Sequence, residues 1–343
     1  MNPGENYPLS EFYLQCVGWW HRWGRTSLGL ILSGGLIIWL ATFLDFHKVL
    51  LTLQQVNPFW TGVSLFAVLL TLWARVLRWQ ALLDSEYIPA SRITQALVVG
   101  QLLNLILPAR LGDLGRAHLV TVKSGDTSQA KALGTIAVEK LWDIVLLVGL
   151  VVALAFWHSL PTWITIPARL TAISGGAILI LIVSLLVFRR RLSGFGFSRW
   201  FESSTGQWLG RITNQLFDGL TALHKPQVMV AAGGWSLLAW FFGGITNLAL
   251  LKAFDLPTSI GVSFLLLAVL QLGVAIPSVP GRIGVFEGLC LATLALFGIE
   301  ANIALGFGVL LHLIVLLPPV VIGLWWLLRM DSSSRRSIWK PAT

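Results

Sequence analysis

The chain has 343 residues, of which 56% are hydrophobic and 11% charged, at a mean hydropathy of +0.78. A soluble domain carries about a quarter charged residues, so this composition excludes a water-soluble globule and places the chain in lipid. The net charge of +9 comes from Lys and Arg gathered between apolar runs, a pattern of membrane topology rather than of a nucleic-acid surface.

Runs long enough to cross roughly 30 Å of hydrocarbon fall at 27–44, 59–79, 133–157, 169–188, 228–251 and 302–328. The start is polar, with no small-residue cleavage site after a short apolar core, so the first run is expected to be an uncleaved span. His21, Arg22 and Arg25 precede it, which makes 1–26 a cytoplasmic segment by the positive-inside rule. The stretch 45–58 holds only Lys48 and is expected outside. Arg75, Arg78 and Arg92 bring the second run inside, and Lys123 and Lys131 hold 123–131 there. Arg189, Arg190, Arg191, Arg199, Arg211 and Lys225 keep the middle segment cytoplasmic, and Arg329, Arg335, Arg336 and Lys340 do the same for the tail 331–343. Many of the 17 Trp, such as Trp19, Trp60, Trp79, Trp157 and Trp325, sit at the ends of apolar runs, as an interfacial belt requires. Within 192–224, Trp208, Ile212, Leu216 and Leu220 share a helical face, so an interfacial amphipathic helix is favoured over a plain loop.

Two shorter apolar stretches, 93–107 and 261–279, lead into a repeated break. Pro108-Ala109-Arg110-Leu111-Gly112 returns 172 residues later as Pro280-Gly281-Arg282-Ile283-Gly284. The same shift carries 59–79, 93–107 and 133–157 onto 231–251, 265–279 and 305–329. The charge assignments close only if 93–123 enters and leaves from the cytoplasm while 261–299 enters and leaves from outside. The expected fold is therefore an all-α polytopic membrane protein, an inverted-repeat helical bundle with two re-entrant helical hairpins. One transmembrane domain covers 27–330, with halves at about 27–190 and 225–330. Interrupted segments in matching positions of two halves point to a transport site.

In the breaks, Pro108 and Pro280 remove a backbone donor and stop a helix, while Gly112, Gly281 and Gly284 permit a reversal. Arg110 and Arg116 are candidate phosphate ligands because a guanidinium fork matches phosphate; the other reading makes them cytoplasmic interfacial anchors. Arg282 falls on the external side, where the charge rule does not call for arginine. At membrane depth it costs at least about 2.5–3.5 kcal/mol, which something must offset. Glu287 is either a favourable first-turn carboxylate or the partner of an arginine. Glu139 and Asp143 stand at i and i+4, on one helix face, and with Asp113 are candidates to pair with Arg110 and Arg116 or to carry a coupling proton. His118 and His312 read as hydrogen-bonded structure. No metal-ligand spacing, nucleophile motif or nucleotide loop is present, and Cys16 and Cys290 imply neither disulfide nor zinc. Neither cofactor nor enzymatic chemistry is expected.

The motifs Pro108-Ala-Arg110-Leu-Gly112-Asp113-Leu-Gly-Arg116, Glu139-Lys140-Leu-Trp-Asp143 and Pro280-Gly281-Arg282-Ile-Gly284-Val-Phe-Glu287 resemble the lysylphosphatidylglycerol synthase transmembrane family. The resemblance covers about 25 to 330. It implies a bacterial or archaeal inner-membrane protein that moves or handles a lipid: an aminoacylated phospholipid, a polyprenyl-phosphate sugar or another amphiphile. It marks Arg110, Asp113, Arg116, Glu139, Asp143 and Glu287 as matching positions. The family usually places glycine where Ala109 and Arg282 stand, so the expectation for Arg282 rests on its membrane cost alone. The synthases append a soluble aminoacyl-transferase domain, and this chain is not expected to catalyse that transfer. The leading expectation is a flippase-like lipid transporter. The alternative is a membrane partner that presents lipid to a separate glycosyl- or acyltransferase.

Overall fold

The computed structural model describes residues 51–84, 88–106, 111–121, 129–157, 160–192, 225–256, 259–273 and 280–329. The expected span 27–44, the segment 1–26, Pro108, Arg110, the stretch 193–224 and the tail 331–343 lie outside the described residues.

Every regular element among the described residues is helical. They are α1 (Pro58–Leu83), α2 (Ala90–Ile106), α3 (Gly112–Thr121), α4 (Gln129–Trp157), α5 (Thr162–Leu192), α6 (Pro226–Ala253) and α7 (Ile260–Gly273). A single 3-10 turn, η1 (Pro280–Arg282), precedes α8 (Val285–Ala295) and α9 (Ala301–Arg329). Local chemistry sets the ends. Asn57 caps α1 by accepting from the N–H groups of Phe59 and Trp60 at 3.0 and 3.4 Å, with Pro58 at the first helical position. Asp84 closes α1 in the left-handed region at φ 46°. By length and composition α1, α6 and α9 qualify as membrane-crossing helices. Side chains such as Phe156 (82% exposed) and Val230 (76%) leave the bundle's outer face apolar, as lipid contact requires.

The shift of 172 seen in the sequence holds in the helices. It carries α4 onto α9 residue for residue, and α1 onto α6 within four residues. These last two equivalents run antiparallel along their whole length. Asn57 N–H donates to Ala253 O (2.9 Å) at one end, Ser64 Oγ to Thr246 O (2.9 Å) in between, and Arg78 Nη1 to Ser236 Oγ (3.3 Å) further along. Lys225 pairs with Asp84 at the other end. Equivalent helices that point in opposite directions make the two halves inverted repeats.

Each half carries a pair of short helices. The 17 residues of α2 and 10 of α3 give about 25 and 15 Å; the 14 of α7 and 11 of α8 give about 21 and 16 Å. α3 lies antiparallel on α2 with the backbones nearly touching. A Cβ on Gly112 would stand 2.0 Å from Gly100 O, and one on Gly100 would stand 2.7 Å from Arg116 Cβ. Gly112 thus differs from the expectation of a reversal residue. Positive φ among the described glycines falls at Gly281, Gly284 and Gly298, and Gly112 serves close helix contact instead.

The halves interlock through their long helices. Ile322, Trp326 and Leu327 of α9 cover the first-half core of Trp79, Leu97 and Val99, while Trp60, Leu65 and Val68 of α1 cover the second-half core of Leu250, Leu266 and Phe307. Gly323 lets α9 approach α2, where an added Cβ would lie 3.1 Å from Leu102 Cβ. The turn η1 also packs on α2, which sets the second break beside the first hairpin.

Candidate functional site

A buried charge network joins four helices of the two halves. Arg78 comes from α1, Asp113 and Arg116 from α3, Glu139 and Asp143 from α4, and Ser236 from α6. Arg78 Nη2 lies 2.9 Å from Glu139 Oε1, and its Nη1 lies 2.7 Å from Asp143 Oδ1. Arg116 forks onto the same carboxylate, Nη1 to Oε2 at 3.1 Å and Nη2 to Oε1 at 3.2 Å. Asp113 Oδ1 sits 3.2 Å from Arg116 Nε and accepts from Asn104 Nδ2 at 3.4 Å. The side chains of Arg78, Arg116 and Glu139 are only 2%, 5% and 6% exposed. Arg116 also stacks over Trp79, 5.0 Å from the ring centroid, and the Trp79 indole N–H donates to Thr135 Oγ1 at 3.1 Å.

Removing such charges from water costs several kcal/mol per ion unless close pairing and further hydrogen bonds offset it. Glu139 meets that condition by accepting from two guanidinium groups. Arg75, one turn before Arg78 and partly buried, has no ion pair or hydrogen bond among the described residues. Lys140, whose Nζ is 4.0 Å from Glu139 Oε1, has its side chain 41% exposed, so among the described residues Arg75, Arg78 and Arg116 face the three carboxylates. An arginine inside the bundle that is bound to no carboxylate is what an anionic group would be drawn to.

The sequence-derived residues divide as follows. Asp113, Arg116, Glu139 and Asp143 come together in this network. Arg282 lies on η1 in the left-handed region at φ 59°, flanked by Gly281 (φ 75°) and Gly284 (φ 88°). A glycine escapes the cost of that conformation, about 1–2 kcal/mol for other residues. Glu287 sits apart from the network. Its Oε2 accepts from Gly284 N–H at 2.7 Å, making it the first-turn cap, and its Oε1 lies 2.6 Å from His312 Nδ1 rather than against an arginine. His312 is hydrogen-bonded structure, as expected, and stacks on Phe286 with centroids 4.3 Å apart. The buried Nε2 of His118 has no hydrogen-bond partner among the described residues.

Sequence reasoning read Arg75 and Arg78 as topology signals and missed both, along with Ser236. The signal lay in their spacing, i and i+3 on one face, with more apolar residues following to Leu83. Beside the network, Val138, Leu141, Trp142, Val145 and Val148 of α4 line an apolar cavity of about 590 Å³ shared with α5 and with Met229 of α6. Among the described residues no group of three or more His, Cys, Asp or Glu side chains gathers as a metal site.

An all-helical, inverted-repeat membrane protein with a charged interior where its halves meet is the class that fold and site define. The chain belongs to the lysylphosphatidylglycerol synthase transmembrane-region family, whose pattern matches residues 27–323. It is similar to the UPF0104 membrane protein MJ1078 of Methanocaldococcus jannaschii, at 27% identity over 224 residues, 64% of this chain and 91% of that protein. It is also similar to the glycosyltransferase AglD of Haloferax volcanii, at 23% identity across 94% of this chain; the match spans 58% of that protein. No solved structure matches.

Proposed function

We propose that this protein is a lipid flippase-like transporter that takes an anionic or zwitterionic headgroup, of phospholipid or polyprenyl-phosphate type, between its inverted halves. The observation that carries this reading is Arg75, a partly buried arginine beside the network with no ion pair or hydrogen bond among the described residues. Arg78 and Arg116 are committed to Glu139, Asp143 and Asp113, so they serve as the frame that ties α1, α3, α4 and α6 together. Arg75 then supplies the phosphate contact, with Arg110 and Arg282 from the two breaks. Guanidinium forks suit that ligand. The 590 Å³ apolar cavity on the neighbouring face of α4 suits an acyl or isoprenoid chain. The short hairpins enter the bilayer from opposite sides, cytoplasmic for α2–α3 and external for α7–α8. Rocking of the halves about α1 and α6 exposes the headgroup to each side in turn. Both termini are cytoplasmic, the membrane is a prokaryotic inner membrane, and the chain performs no catalysis of its own.

The test is translocation of a tail-labelled fluorescent phosphatidylglycerol in liposomes of phosphatidylethanolamine and phosphatidylglycerol, read by quenching of the outer leaflet. Transport by the wild type that is lost in Arg110→Ala, Arg282→Ala supports the site. Unchanged transport in that double variant removes it.

A second reading, a membrane partner that presents lipid to a separate lipid-modifying enzyme, is favoured by the similarity to a protein named as a glycosyltransferase. Lipid binding by purified protein without translocation would select it.

A further inference from the structure

The second half holds a pair of titratable groups that the headgroup site does not use. Glu287 of α8 and His312 of α9 meet at 2.6 Å with side chains 11% and 7% exposed. Under the repeat they stand where the first half has Gly115 and Lys140, so this pair is not duplicated. Resting on the transporter reading above, we propose that Glu287 and His312 form a proton-binding site, and that the proton is the ion coupled to lipid movement.

Imidazole is the side chain whose proton exchanges between about pH 5 and 8. With one shared proton the pair is neutral overall and tolerable in an apolar core. Release of that proton leaves a neutral imidazole beside a carboxylate, with one net negative charge, and its uptake restores the neutral pair. The carboxylate is wired to the break. Its second oxygen accepts from Gly284 N–H, immediately after the left-handed Gly281 and Arg282. A hydrogen bond to an ionised acceptor is roughly twice as strong as one to a neutral acceptor. The proton shared with His312 therefore weakens the carboxylate's hold on Gly284 N–H and shifts the turn that presents Arg282.

The surroundings leave few competing charges. α7 has no titratable side chain, and α8 adds only Cys290, buried one turn on. α9 adds only Arg329 at its far end. On η1 the charged residue is Arg282. The parts of α1 and α6 that cover this core contribute Trp60, Leu65, Val68, Leu250 and Leu251, with Lys252 held over the Trp60 ring at 4.5 Å. Arg75 and Arg78 of α1 face the network on α4, and Arg92 is the charged residue of α2, on which η1 packs.

The test uses the full chain in liposomes of phosphatidylethanolamine and phosphatidylglycerol. An infrared titration between pH 5 and 8 is expected to show a change in the carboxylate stretching bands on acidification that is missing in Glu287→Gln. That variant keeps an oxygen acceptor for Gly284. In the transport arm, a gradient of one pH unit can sustain up to about a tenfold leaflet asymmetry of tail-labelled phosphatidylglycerol for one proton per lipid. Wild type is expected to build that asymmetry, whereas Glu287→Gln and His312→Gln, with melting points near wild type, bring it to one. No difference band, or an unchanged asymmetry in Glu287→Gln, overturns the proposal. Lipid movement by wild type that ignores the gradient overturns it while the transporter reading stands. A wild type that moves no lipid at all sinks the transporter reading, and the coupling with it, whatever the infrared band shows.

Discussion

Arg78 and Glu139 form a 2.9 Å ion pair between α1 and α4 with side chains 2% and 6% exposed, and Arg116 of α3 clasps the same carboxylate from the other side. One glutamate thus binds three helices, and it does so where charge is most expensive.

Removal of that carboxylate is expected to strand two buried guanidinium groups. Breaking one side of a buried pair costs about 3–5 kcal/mol, so Glu139→Ala should lower the melting point more than any other single change in the network. Asp143→Ala should cost less, since its side chain is 29% exposed and water screens the loss. Thermal unfolding of both variants in detergent checks the order.

Gly112→Ala tests the close contact of α2 and α3. The new methyl would fall 2.0 Å from Gly100 O and 2.6 Å from Asn104 Oδ1, so the hairpin must spread. Overpacking of this kind costs about 1–3 kcal/mol. Lipid translocation should fall with it because Arg116 rides on α3. A Gly62→Ala control meets open space and should change nothing in the same melting and transport assays.

Arg282→Gly separates strain from function. Glycine relieves a left-handed residue that costs about 1–2 kcal/mol, which offsets the contacts the side chain gives up. Stability should hold within about 1 kcal/mol while headgroup-dependent transport drops, and melting and translocation measured on one preparation would show the split.

The exposed pair Asp84–Lys225 should matter little despite its position at the end of the α1–α6 interface. Both side chains are about half exposed (42% and 57%), and such pairs contribute about 0–1 kcal/mol. Asp84→Asn should leave the melting point within a few degrees of wild type.

The repeat was legible because apolar length and helix breakers write directly into sequence. The shift taken from Pro108 and Pro280 carries α4 onto α9 without adjustment. Asp113, Arg116, Glu139 and Asp143 were legible as a group because carboxylates and arginines at membrane depth need one another. Arg78 was not, for two reasons. The apolar run ends at 79 whereas α1 continues to Leu83, and the positive-inside rule already explains an arginine at a span's end. The Glu287–His312 contact joins residues 25 apart on different helices, which no local spacing reveals. Gly112 was misread because proximity to a proline suggests a turn, while the demand on it comes from Gly100, twelve residues earlier and across the hairpin.

The central claim is that two inverted hairpins enter from opposite faces, and thiol accessibility in sealed, oriented vesicles tests it most directly. Single cysteines would replace Ser91 and Thr121 at the open ends of α2–α3, and Ser259 and Glu300 flanking α7–α8, in a chain lacking Cys16 and Cys290. A membrane-impermeant maleimide is expected to label 91 and 121 from the cytoplasmic side alone, and 259 and 300 from the external side alone. Labelling of the two ends of either hairpin from opposite sides would make it an ordinary crossing and contradict the account.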